Sequence, residues 1–173
     1  MSLGSLRHKT TETDTIDSFT GKYFFLSNFS EYSVHLQGLH FPTAEAAFQA
    51  MKTIWVVERI AIRDQPTPGK AKRLGNKRPP AGAPRTRGHD DRQFTTMQPN
   101  WDKIKVREME IVVARKFNQH PELIKKLLAT GNANLIEGNA WGDDFWGCVK
   151  RNGKWHGRNE LGKILMKLRE NYR

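Results

Sequence analysis

Apolar positions recur along this chain at two periods, and the changes between them mark its elements. Tyr23-Phe24-Phe25-Leu26 is an aromatic-rich run that predicts a short strand, broken at Ser27-Asn28-Phe29. Ser33-Val34-His35-Leu36 and Leu39-His40-Phe41 alternate around Gln37-Gly38 and predict a hairpin. Pro42 ends it, and the Thr43 hydroxyl is placed to cap a helix. In that helix Phe48, Met51 and Trp55 form one stripe, and the helix is expected to reach the Arg63 region and stop before Pro66. A turn at Thr67-Pro68-Gly69 leads to a short basic helix at 70–74, with Gly75 as its C-cap.

Further along, Val106, Met109, Val113 and Phe117 predict an amphipathic helix, opened by Asn100 and closed at Asn118-Gln119-His120. Pro121 starts another, which buries Leu123, Leu127 and Leu128 and stops at Thr130-Gly131-Asn132. Asn134-Leu135-Ile136-Glu137 predicts a short strand, and a glycine-rich loop fills 138–157. Asn159 is placed to cap the last helix, with Leu161, Ile164, Leu165 and Leu168 as its stripe. The sum is an α+β chain: one mostly helical domain over 21–173 with a small N-terminal β-hairpin. A flexible polar tail at 1–20 precedes it, and a Pro/Arg-rich loop without either period is inserted at about 76–99.

Composition narrows the class. The 173 residues fit one domain, and 37% hydrophobic with 27% charged content is that of a soluble globular protein. A mean hydropathy of −0.70 places some segments outside the core. No apolar run has the length of a membrane span, and the N-terminus lacks a signal-peptide stretch, so a cytoplasmic location and no membrane partner are expected. The single cysteine, Cys148, allows no intramolecular disulfide and follows Phe145-Trp146-Gly147, which reads as a buried structural thiol. With one Cys and six scattered His no zinc spacing is present, and neither metal nor cofactor is expected. The pattern assigns no oligomeric state.

Charge adds a partner class. Net charge is +11, and between Arg59 and Arg92 ten Lys or Arg face three Asp, a local +7. Such a segment is either a solvated charged loop or an arm that seeks phosphates of a nucleotide or nucleic acid.

Candidate chemistry lies where carboxylates neighbour aromatic rings: Glu45, Asp102 beside Trp101, and Asp143-Asp144 between Trp141 and Phe145-Trp146. Glu45, Gln49 and Lys52 share one helix face, a carboxylate, an amide and an ammonium in a row that resemble a pocket wall. A first-turn acid also complements a helix dipole, and a Trp also serves as a core anchor, so both readings stand for Glu45 and Trp101. As a site, the set would stack a flat base and attack the sugar joined to it.

These residues fall in ordered blocks: Ser27-Asn28-Phe29, 42–52, Ala71-Lys72-Arg73-Leu74-Gly75, Trp101-Asp102, Lys116-Phe117, Leu127-Leu128-Ala129-Thr130, 143–147 and 159–166. In that order they resemble the NADAR, or YbiA-like, family, across roughly residues 23–169. The resemblance implies a metal-independent N-glycosidase that hydrolyses ribosyl–nitrogen bonds. Its substrates would be phosphorylated riboflavin-biosynthesis intermediates or ADP-ribose on guanine of nucleic acid. By motif it implies Glu45 and Asp143 in catalysis, with Asn28, Phe29, Gln49, Lys52, Lys72, Trp101, Trp146 and Asn159 in substrate binding, Asn28 and Asn159 as supports. Ala46 stands where the family usually has His, and the 76–99 insertion is longer than usual, which bears on substrate choice. The competing class is a module that binds ADP-ribose, a nucleotide or nucleic acid without turnover.

Overall fold

The computed structural model describes residues 14–79 and 95–173. The expected tail up to residue 13 and the 80–94 part of the Pro/Arg-rich loop lie outside the described residues, together with Arg85, Arg87 and Arg92.

The fold begins earlier than the sequence pattern indicates. Strand β1, Thr15–Ile16, pairs in parallel with β4, Asn134–Leu135. Ile16 and Phe19 are buried in the core, so residues 14–20 belong to the domain. A two-residue strand is too short to show alternation, and only its distant partner defines it.

The expected first strand is instead a 3₁₀-helix, Gly21–Leu26. Tyr23 N–H donates to the Thr20 carbonyl at 2.9 Å, and Ser27 N–H to the Phe24 carbonyl at 3.0 Å. Adjacent Phe25 and Leu26 are both buried, which a strand with one buried face does not allow. Lys116 closes this turn from below. Its Nζ donates to Phe25 O, Ser27 O and Ser30 Oγ at 2.6–2.8 Å, and burial lowers its pKa to about 7.

The hairpin forms as expected from β2, Val34–Leu36, and β3, Leu39–Phe41. Gln37 (φ 49°) and Gly38 (φ 76°) make the primed turn that matches strand twist. Thr43 Oγ1 accepts from Ala46 N–H at 3.1 Å and caps α1, Ala44–Ala50, whose residues are all buried. The predicted long helix breaks here. Thr53 Oγ1 accepts from Trp55 N–H, and Arg59 Nε takes the Thr53 carbonyl, so local bonds replace the helical ladder. Helix α2, Val56–Arg63, then starts anew, and Trp55 leaves the buried stripe.

Thr67 caps α3, Pro68–Asn76, by accepting from Lys70 N–H. Gly75 lies inside this helix and is not its C-cap. A Cβ there would sit 2.2 Å from Gln49 Oε1 and 2.8 Å from Gln49 Cβ, so the glycine serves close packing of α3 on α1. Helix α4, Trp101–Gln119, has no side-chain cap from Asn100, and α5, Pro121–Leu128, starts on proline as predicted.

The expected glycine-rich loop contains a three-stranded sheet: β5, Gly138–Asn139, β6, Cys148–Arg151, and β7, Lys154–His156. Asn152 (φ 50°) and Gly153 (φ 76°) turn β6 into β7, an Asn-Gly hairpin signal that the reading of this stretch as loop passed over. Helix α6, Glu160–Asn171, follows. Its first N–H groups, on Glu160 and Leu161, donate to the carbonyls of Phe145 and Trp146. The preceding loop thus caps α6, and Asn159 makes no side-chain cap. Helix α1 packs centrally, against α2, α3 and α4, and α4 packs on α6. Among the described residues no helix is long and apolar enough to cross a membrane.

Candidate active site

One cavity of about 640 Å³ opens between α1, α3, the start of α4 and the 137–146 segment. The helical wall comes first. Glu45 N–H donates to the Asn28 carbonyl at 2.9 Å, which ties the Ser-Asn-Phe turn to the head of α1. The Glu45 side chain is only 6% exposed. Burial pushes its carboxyl above the usual range, opposed by a 2.8 Å hydrogen bond from Gln49 Nε2 and by the charges of Lys72 and Lys52. Lys52 lies one turn beyond Gln49 and donates to Asn76 Oδ1. Burial, then Arg78, lowers the Lys52 pKa to about 8. Lys72 on α3 reaches the cavity 5.9 Å from the Phe29 ring centroid.

Aromatic rings form the floor. Phe48 lies 5.3 Å from Trp101 and 5.2 Å edge-on from Trp146, centroid to centroid. Trp101 is 4% exposed, so it anchors the core while lining the cavity. Trp141 is 70% exposed and stands at the rim.

The opposite wall is built by hydrogen bonds between loop segments. Asn139 Oδ1 accepts from Asp143 N–H, and Asn139 Nδ2 donates to the Asp143 carbonyl at 2.7 Å. Asp143 Oδ1 in turn accepts from Phe145 and Trp146 N–H at 3.1 and 2.8 Å. This fixes the Asp143 carboxylate and the Trp146 backbone, and the Trp146 ring packs against Phe48 and Phe145. Glu137, between β4 and β5, completes this wall. Its carboxyl is raised to about 7, first by burial and then by the charges of Asp143 and Glu45.

Of the residues singled out in the sequence, Glu45, Asp143, Asn28, Phe29, Gln49, Lys52, Lys72, Trp101 and Trp146 line this one cavity. Asn159 does not. It stands behind the wall in a left-handed conformation (φ 53°), its Oδ1 accepting from Glu137 N–H and its Nδ2 donating to the Leu135 carbonyl. It supports the site and does not line it. Asn28 spends its side-chain NH₂ on Met109 Sδ and leaves Oδ1 buried without a partner. Ala46 lies in the core and off the cavity lining. Sequence reasoning missed Glu137. Its only signal was an acid directly after the apolar pair Leu135-Ile136, which reads equally as a strand end.

Three arginines of the described part of the basic segment are engaged within the chain. Arg78 donates to the Gly75 and Thr95 carbonyls, Arg59 to the Thr53 carbonyl, and Arg63 pairs with Asp64. Thr95 N–H donates to the Lys77 carbonyl, so both described ends of the insertion meet beside α3.

Fold and cavity together define a single-domain α+β protein with a pocket lined by carboxylates and aromatic rings. The NADAR domain model matches residues 13–173, and the chain belongs to this family. It is 34% identical to N-glycosidase YbiA of Escherichia coli (strain K12) over 160 residues, 91% of this chain and 88% of that protein. An N-glycosidase of Nostoc punctiforme is 32% identical, over 87% of this chain and 86% of that one. A riboflavin biosynthesis protein of Vibrio vulnificus is 34% identical over 84% of this chain but 35% of its own length. The NMR structure of the E. coli protein YbiA superposes with a TM-score of 0.69 at 33% identity, covering 95% of this chain and 89% of that one.

Proposed function

We propose that the protein is a hydrolase of N-glycosyl bonds, cleaving the ribosyl–nitrogen bond of a phosphorylated ribosylamine. The observation that carries this reading is the convergence of Glu45 and Asp143 with Trp101, Trp146, Lys52 and Lys72 on one cavity. The names of the E. coli and Nostoc relatives support the bond type, and that of the Vibrio relative supports the substrate class.

Breaking a ribosyl–nitrogen bond builds positive charge on the sugar ring. A buried carboxylate stabilises that charge more strongly than it would in water. Glu45 supplies it and takes a proton from the attacking water. Asp143, with Oδ1 held by two backbone N–H groups, presents its other oxygen to the ribose or the water. Trp101 and Trp146 hold the flat leaving group, and Lys52 and Lys72 offer cationic partners for phosphate. The buried thiol Cys148 agrees with a reducing, cytoplasmic setting.

A second substrate, ADP-ribose on guanine of nucleic acid, is favoured by the net charge of +11. The internal bonds of Arg59, Arg63 and Arg78 weigh against it, because they leave less free cation on the described face.

Mass spectrometry of a phosphorylated ribosylamine and of an oligonucleotide carrying ADP-ribosyl-guanine, each incubated with the protein, tests the proposal. Release of sugar phosphate from the first, lost by at least about a hundredfold in Glu45→Gln, is expected. Turnover of the oligonucleotide alone shifts the substrate to nucleic acid. Intact ligand in both incubations replaces the enzyme with a binding module.

A further inference from the structure

Three carboxyl groups, Glu45, Asp143 and Glu137, line the same cavity, and they are not equivalent. Like charges at close quarters cannot all ionise easily, so one carboxyl of such a set keeps its proton. Glu45 accepts from the Gln49 amide, and Asp143 accepts from two backbone N–H groups, bonds that stabilise an anion. Among the described residues the Glu137 carboxyl takes no hydrogen bond and no ion pair. Its backbone, by contrast, is held on both sides. The N–H donates to Asn159 Oδ1 at 3.1 Å, and the carbonyl accepts from Cys148 N–H at 2.9 Å. Gly147 lets the chain pass against that carbonyl, since a Cβ there would lie 2.1 Å from it.

We propose that Glu137 is the acid that protonates the departing nitrogen in this site. The inference rests on the N-glycosidase reading and adds to it the source of the proton. The C1′–N bond breaks, its electron pair goes to nitrogen, and the Glu137 carboxyl delivers a proton to that nitrogen. Water forms the new C1′–O bond and gives its proton to the Glu45 carboxylate. The products are the free sugar and the free amine. Glu137 ends ionised and Glu45 protonated, and exchange with solvent restores both. The charged groups facing Glu137 are Asp143 from the β5–β6 loop, Glu45 from α1 and Lys72 from α3. Burial first, and then the two carboxylates, hold the proton on Glu137 and the lysine opposes them, with the balance at about 7.

The test is the pH profile of kcat for wild type, Glu137→Gln and Glu137→Asp on the phosphorylated ribosylamine or, if only that is cleaved, the ADP-ribosyl oligonucleotide. Wild type should lose activity as pH rises through about 7, because the acid form is then depleted. Glu137→Gln should lose about a hundredfold in kcat with KM little changed and should show no such limb. Glu137→Asp should keep an alkaline limb at reduced rate, and it decides the matter if the Gln variant does not fold. A folded Glu137→Gln protein with near wild-type kcat and the limb intact overturns this proposal alone. A wild type that cleaves neither substrate overturns the proposed function and this inference with it.

Discussion

The two walls of the cavity are made differently. Glu45, Gln49 and Lys52 stand on or just beyond one helix, spaced by its own turn, and Gly75 lets α3 close against them. Glu137, Asp143 and Trp146 stand on loop segments and are placed by hydrogen bonds through Asn139, Asn159 and the Asp143 carboxylate. The helical wall draws its geometry from 3.6-residue periodicity. The loop wall draws it from contacts between residues up to 24 positions apart. Changes on the helical wall should therefore alter chemistry more than stability, and changes on the loop wall should alter both.

The largest expected effect tests whether a ring belongs to the core or to the rim. Trp101→Ala should lose about 3–5 kcal/mol in urea unfolding, as for other buried Trp, and should also raise KM. Trp141→Ala should stay within about 0.5 kcal/mol, because its ring is already in water. Similar midpoints for wild type and Trp101→Ala would show that its ring is not a core anchor.

A pair of glycine substitutions compares the walls directly. Gly147→Ala meets the Glu137 backbone carbonyl and should cost about 1–3 kcal/mol, the range for overpacking. Gly75→Ala meets the Gln49 amide, which can turn away, and Gln49 Cβ at 2.8 Å, which moves only with α1, so its melting temperature should also fall, but by less than against a backbone carbonyl at 2.1 Å. Its kcat should fall nonetheless, because Gln49 then loses its bond to Glu45. Equal losses of stability would remove the distinction between the walls.

Asn159→Ala leaves the Glu137 N–H and the Leu135 carbonyl without their partner and should cost about 1–3 kcal/mol. Its kcat should fall with KM nearly constant, since Asn159 lies off the cavity lining. A raised KM at unchanged kcat would instead put Asn159 in contact with substrate.

The smallest effect is a pH dependence of stability. The Glu137 carboxyl titrates at about 7 in the folded chain, above its ordinary value of 4.5. The folded state therefore holds this proton more tightly than the unfolded one. That contribution is complete below the unfolded value and is lost as pH rises through about 7. Glu137→Gln removes the loss, so its melting temperature should gain on wild type between about pH 5 and about pH 8. A constant difference across that range would mean that Glu137 titrates normally.

Periodic elements were legible in the chain because their partners are local. The Gln37-Gly38 hairpin, the Thr43 cap, the Pro121 start and the stripes of α4 and α6 all stand as read. The break after α1 and the Asn152-Gly153 hairpin had local signals, while the other errors trace to distant partners. Residues 23–26 coil into a 3₁₀-helix over Lys116, some ninety positions away. Residues 14–20 join the fold through β4. Gly75 looks like a helix stop until Gln49 is seen against it. Asn159 looks like a cap until the carbonyls of Phe145 and Trp146 are found in that role.

For the site, the sequence alone determined the family, the helical face with Glu45, Gln49 and Lys52, and the pairing of acids with aromatic rings. Those features are written in residue type and short spacing, which covalent geometry converts directly into one face of a helix. Only the tertiary structure decided that Trp101 is mostly core, that Asn159 stands behind the cavity, and that Glu137 shares it with Glu45 and Asp143. Burial and charge proximity are properties of packed neighbours from distant parts of the chain. A single acid in a short, nearly patternless stretch carries no local mark of either.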